Sequence, residues 1–130
     1  MRTFTLTAAI VALSALAGGC GSSAPEHPSV EYRAAKLDGT KPSGNDDAAL
    51  VPYRDELRRL RTICTDSKQR LLEQARAAQK QLNALLISWS LLAILRETRI
   101  SAVENRSAPR PRPCAGDLAS AVTALEQNGS

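Results

Sequence analysis

Aromatic side chains are scarce in this sequence: one Phe, two Tyr and one Trp among 130 residues. Four rings cannot build the stacking platform on which proteins hold unpaired nucleic-acid bases. There is a single histidine, His27, with no second ligand beside it, and no tight Cys/His/Asp/Glu cluster. This argues against a histidine-based catalytic centre and against a zinc site. No P-loop, no GxGxxG and no nucleophile elbow is present, so no cofactor is implied and no enzyme is expected. The length allows one small domain rather than two. What the chain does contain is an N-terminal address, three cysteines and long stretches of helix-forming sequence.

The address occupies residues 1–20. Met1–Thr5 carries the free amine and Arg2; Leu6–Ala17 is apolar or small throughout; Gly18-Gly19-Cys20 follows. A positive start, a short apolar stretch and a small-residue cleavage site are the layout of an export signal. The apolar run of about 12 residues falls short of the roughly 20 that a permanent membrane-spanning helix needs. Ala17-Gly18-Gly19-Cys20 resembles the lipobox of bacterial lipoproteins. The resemblance covers residues 1–21. It implies a diacylglycerol on the Cys20 sulfur, removal of residues 1–19, and a lipidated N-terminus that holds the protein to the membrane on the exported side. The alternative is ordinary secretory cleavage after Ala17, at the A-x-A site Ala15-Leu16-Ala17, releasing a soluble protein.

Lipidation of Cys20 leaves Cys64 and Cys114 as an even pair in an oxidising compartment, where a structural disulfide is expected. Neither has a CxxC partner, so a thiol–disulfide exchange role is only a remote alternative. The bridge constrains the fold. Between Pro52 and Asn105 there is neither Pro nor Gly, and Leu, Ala, Arg, Gln and Glu dominate. Leu57, Leu60, Cys64, Leu71, Ala75, Ala78, Leu82, Leu85, Trp89 and Leu92 recur at helical spacing. One straight helix from 64 to 105 would be roughly 60 Å long. The nine residues onward to Cys114 reach about 30 Å at full stretch, so the helix must fold back.

Asn83, Ser88 and Ser90 place the break between about 83 and 90. The expectation is therefore a helix over 52–84, a second over 90–105, a polar loop over 107–113, and a short third helix. That last helix would have Asp117 as N-cap, Leu118, Val122 and Leu125 on one face, and Asn128-Gly129 as its stop. The fold class is all-α: a small antiparallel helical hairpin or three-helix bundle over 51–130, closed by one disulfide. Trp89 is expected as a core or bundle-end anchor; Trp89 and Leu86 exposed together at the bend would point to a partner-binding tip.

Residues 20–50 change composition to Gly, Ser, Pro, Asp, Asn, Lys and Glu, and read as a lipidated N-terminus with a disordered, flexible linker. They would lift the bundle off the membrane. Residues 51–112 hold thirteen basic and six acidic side chains. Asp55–Arg59, Asp66–Arg70 and Glu73–Arg76 stand at helical pair spacing and answer some of that excess. Arg54, Arg58 and Arg61 are less well answered and share one helix face, and the disulfide would bring Arg110 and Arg112 toward Arg61 and Lys68. They are candidates for a basic patch around the disulfide, suited to anionic lipid, an acidic wall polymer or an acidic envelope protein, with an ordinary solvated helix face as the alternative. The functional expectation is a lipid-anchored envelope protein whose helices form a structural or interaction module.

Overall fold

In the computed structural model the described residues are 25–105 and 109–129. The expected export signal 1–19 and Cys20 lie outside them. Five helices are present among the described residues: α1 (Val30–Leu37), α2 (Val51–Ile63), α3 (Lys68–Ala84), α4 (Leu91–Glu104) and α5 (Ala115–Asn128), with one 3-10 turn, Ala48–Leu50, leading into α2. No strand occurs among the described residues; the one β-type pairing is an isolated parallel bridge between Cys64 and Arg112. The all-helical class and the closing disulfide both hold.

α4 has apolar residues on most of its surface, which suits a helix surrounded by others. It packs against every other helix, most extensively against α5, and α3 likewise touches all the others. Leu91, Ile94, Leu95, Thr98 and Ala102 of α4 are buried, and Leu91, Ile94 and Leu95 share a single core with Leu57 and Leu60 of α2, Leu71, Ala75 and Leu82 of α3, and Val122 and Leu125 of α5. The helical spacing of these positions along the sequence is what allows each helix to present one apolar stripe.

Of three boundaries, two differ from expectation. The first helix is not continuous over 52–84. It breaks at Cys64, which is extended (φ −113°, ψ 143°), and restarts after Ser67, whose hydroxyl accepts the Arg70 N–H. Thr65-Asp66-Ser67 is a run of short polar residues, a type that competes with helix by bonding backbone groups; here Thr65 N–H turns to Arg112 O, Asp66 accepts the Cys114 N–H and Ser67 caps the next helix. The break near residues 83–90 is present as expected. Leu86 ends α3 in the left-handed region (φ 61°), with Ile87 N–H reaching back to Leu82 O at 3.0 Å, and Ser90 caps α4 through Ala93 N–H. At the third boundary, α5 begins at Ala115 with Cys114 in the capping position and no side-chain cap. Asp117 is not the N-cap but a buried residue of the first turn, because Cys114 is already fixed by the bridge and by its own N–H donating to Asp66.

The expected linker is the largest correction. Within 25–50 the chain folds. Ser29 caps α1 by accepting the Tyr32 N–H, and Tyr32, Ala34, Ala35 and Leu50 are buried in the common core. Gly39 (φ 91°) turns the chain out of α1, a conformation that side chains with a Cβ rarely adopt. The Asp38 carboxylate then accepts Leu91 N–H (2.7 Å), Leu92 N–H (3.2 Å) and Tyr53 O–H (2.7 Å). An acidic group on the free N–H groups that open α4 is a favourable helix-end contact. The segment is polar in composition because it contributes mainly two alanines and one tyrosine to the core, with a single leucine, Leu50, at its end.

Candidate functional site

The disulfide end gathers the cysteines and part of the expected basic patch. Cys64 and Cys114 are bonded with a Cα–Cα separation of 5.4 Å, and both are buried, at 2% and 0% exposure. Backbone pairing reinforces the bridge: Thr65 N–H donates to Arg112 O (3.1 Å) and Arg112 N–H to Ile63 O (3.3 Å). The Asp66 carboxylate lies close enough to both sulfurs to form a three-ligand group, but sulfurs bonded to each other are not the thiolates that bind metals. His27 is exposed, and its carbonyl accepts from the Asn45 side chain.

Most of the six candidate cations are engaged. Arg110 grips Asp117 with both terminal nitrogens (2.9 and 3.0 Å) and also donates to Ala102 O. The Asp117 carboxylate, 2% exposed, raises the Arg110 guanidinium above its ordinary value. Arg112 approaches the same carboxylate at 3.6 Å. Lys68 bonds Glu31 of α1 at 2.8 Å. Burial pushes the Glu31 carboxyl up, but the Lys68 hydrogen bond, a backbone N–H and the Lys68 and Arg54 charges together hold it below its usual value. Arg54 donates to Asn45 O and Arg58 pairs with Asp55 at 3.1 Å. Arg61 is exposed and has no ion pair among the described residues.

The local pairings differ from those expected. Asp55 meets Arg58, not Arg59. Asp66 accepts from Cys114 N–H and Gln74, Glu73 accepts from Gln69, and Arg76 donates to Gln79.

At the opposite turn, Trp89 is half-buried against the core, and its indole N–H donates to Leu125 O (3.2 Å). Gln79 is buried and donates to Trp89 O (2.9 Å). Trp89 is therefore a bundle-end anchor, as expected. Leu86 is 95% exposed, but it stands without the indole beside it.

The sequence reading missed a groove between α1 and α3. Its floor is Leu37, Leu72 and Ala77; Arg33, Arg76 and Lys80 rim it, with Gln69 and Glu73, around about 380 Å³ of space. Glu31–Lys68 ties the start of α1 to the start of α3, while Leu37 shares the groove with Lys80, so the two helices run side by side in the same direction. Arg33 donates to Gln69, and its Nε–H is buried with no acceptor among the described residues. A second groove of about 440 Å³ between α3 and α5 is lined mainly by small and uncharged residues, including Ala77, Ala78, Leu118 and Thr123. The α1–α3 groove would have been legible only if 30–37 had been read as a helix with Arg33 and Leu37 on one face.

No known protein family, no curated protein and no solved structure matches this chain.

Proposed function

We propose that this chain is an exported bacterial protein, held to the cell membrane by lipid on Cys20, whose helical body is a non-enzymatic structural or interaction module. The observation that carries the reading is Cys20 at the end of an export pattern, as the one cysteine left over once Cys64 and Cys114 are bonded to each other. An exported protein with an unpaired cysteine is otherwise unusual. Each acyl methylene buried in a bilayer contributes about 0.8 kcal/mol, so two or more chains anchor firmly. No helix among the described residues is long and apolar enough to cross a membrane, which is consistent with attachment through lipid.

The buried bridge favours a structural role over thiol exchange, since an exchanging disulfide must meet its attacking thiolate. Detergent phase partitioning of the protein expressed in a bacterial host tests the anchor. The native chain is expected in the detergent phase and Cys20→Ser in the aqueous phase. Recovery of both in the aqueous phase would favour secretory cleavage after Ala17.

A further inference from the structure

We infer that the α1–α3 face is the surface by which the anchored protein rests on its membrane, and that its groove takes the headgroups of anionic phospholipids. The inference rests on lipidation of Cys20 and adds an orientation and a ligand class to it.

The first argument is reach. Were residues 20–50 a free linker, the body could stand off the bilayer in any orientation. The folded part starts far earlier. Ser29 N–H is already bonded to the Asn45 side chain, and α1 begins at Val30. From Cys20 to Pro25 the chain spans at most about 18 Å, and to Val30 at most about 35 Å. Those bounds exceed the roughly 10–12 Å diameter of a helix with its side chains, so reach holds α1 and the helices it packs against, α2, α3 and α4, near the bilayer, and the chemistry of their surfaces selects among them.

The second argument is chemistry. The rim holds Arg33, Arg76 and Lys80 against one acid, Glu73, and the floor between them is apolar. Leu37 is 46% exposed there, and Lys36 on the neighbouring flank of α1 is exposed as well. Cations around exposed aliphatic carbon match the boundary between a lipid phosphate and the first methylenes of its chains. At the disulfide end, by contrast, Lys68, Arg110 and Arg112 are turned onto Glu31 and Asp117.

The test uses the acylated protein purified from membranes, with its N-terminus read by mass spectrometry. It is then placed in vesicles of phosphatidylcholine alone and of phosphatidylcholine with phosphatidylglycerol at a 7:3 ratio, and amide hydrogen exchange is compared residue by residue. Amides of α1 and of the groove side of α3 are expected to exchange about tenfold more slowly on the anionic vesicles, on the scale that a few surface cations provide. The doubly reversed Arg76→Glu/Lys80→Glu chain should lose this slowing, and Arg59→Glu/Arg61→Glu, an equal change of charge on α2, should keep it.

An acylated protein whose α1 and α3 exchange alike on both vesicles overturns the inference and leaves the anchor standing. Slowing centred on α2, or slowing that appears only when membrane proteins are added, overturns it too. An unmodified Cys20 overturns the anchor and this orientation with it. The native-chain comparison decides the matter even where a charge-reversed variant folds poorly.

Discussion

Replacing Asp38 by Ala should destabilise the protein by about 3 kcal/mol, although its neighbourhood has the composition of a linker. The carboxylate accepts Leu91 N–H at 2.7 Å, Leu92 N–H at 3.2 Å and Tyr53 O–H at 2.7 Å. Truncation leaves two N–H groups at the start of α4 and one phenol without a protein acceptor. Hydrogen bonds to a charged group contribute about 1.5–3 kcal/mol each, and loss of a helix-end cap about 1 kcal/mol. Asp38 is only half-buried, so water recovers part of this, and about 3 kcal/mol remains. Asp38→Asn, which keeps the shape and one good acceptor, should cost about half as much. For a folded body of this size, each kcal/mol moves Tm by roughly 4–8 °C. Urea unfolding followed by far-UV circular dichroism at pH 7 measures both variants. A loss below about 0.5 kcal/mol for Asp38→Ala, the range of ordinary surface substitutions, would mean that α1 and its turn are not part of the cooperative fold.

Removing the bridge with Cys64→Ala/Cys114→Ala should cost about 4 kcal/mol, since it closes a loop with a sequence separation of 50; denaturant titration giving under 1 kcal/mol would contradict this. Arg110→Ala should cost about 3–5 kcal/mol, because it strands the buried Asp117 carboxylate, whereas Arg61→Ala should be near neutral in the same assay. Two pH dependences follow with opposite signs. Burial and the bond to Asp38 raise the Tyr53 phenol well above its ordinary 10.0, so its contribution is full below about pH 10 and is lost as pH rises beyond it; Tyr53→Phe should flatten that alkaline decline. Glu31 lies below its ordinary 4.5 despite burial, because of Lys68. Its contribution is full above that value and is lost as pH falls through the folded value, and Glu31→Gln should remove that part of the acid limb of a stability–pH curve.

The helices from residue 51 onward were legible because their buried positions are mostly leucines and alanines at helical spacing, and because chain geometry together with a Cys64–Cys114 bridge demanded a turn between about 83 and 90. Other features lacked such a signal. The helix breaks at Thr65, Asp66 and Ser67, where the first two bond the distant Arg112 and Cys114 backbone and Ser67 caps α3, without a proline or glycine to mark the place. α1 is eight residues long and buries Ala34 and Ala35, residues too small to register as core in a polar stretch. Asp117 reads as a cap until Arg110 and Cys114 are seen around it. The six cations grouped by charge alone go different ways in the fold: Lys68, Arg110 and Arg112 turn onto buried acids, Arg54 onto a backbone carbonyl, Arg58 onto the part-exposed Asp55, and Arg61 faces solvent. The open cationic groove depends on α1 and α3 lying side by side, a tertiary relation that no local pattern carries.

The central claim, that this protein is held to a membrane through its first cysteine, is tested most directly by mass spectrometry of the mature N-terminus from an expressing bacterium. A chain beginning at Cys20 and carrying diacylglycerol on its sulfur is the predicted result. A chain beginning at Gly18, or one beginning at Cys20 with an unmodified thiol, would contradict it.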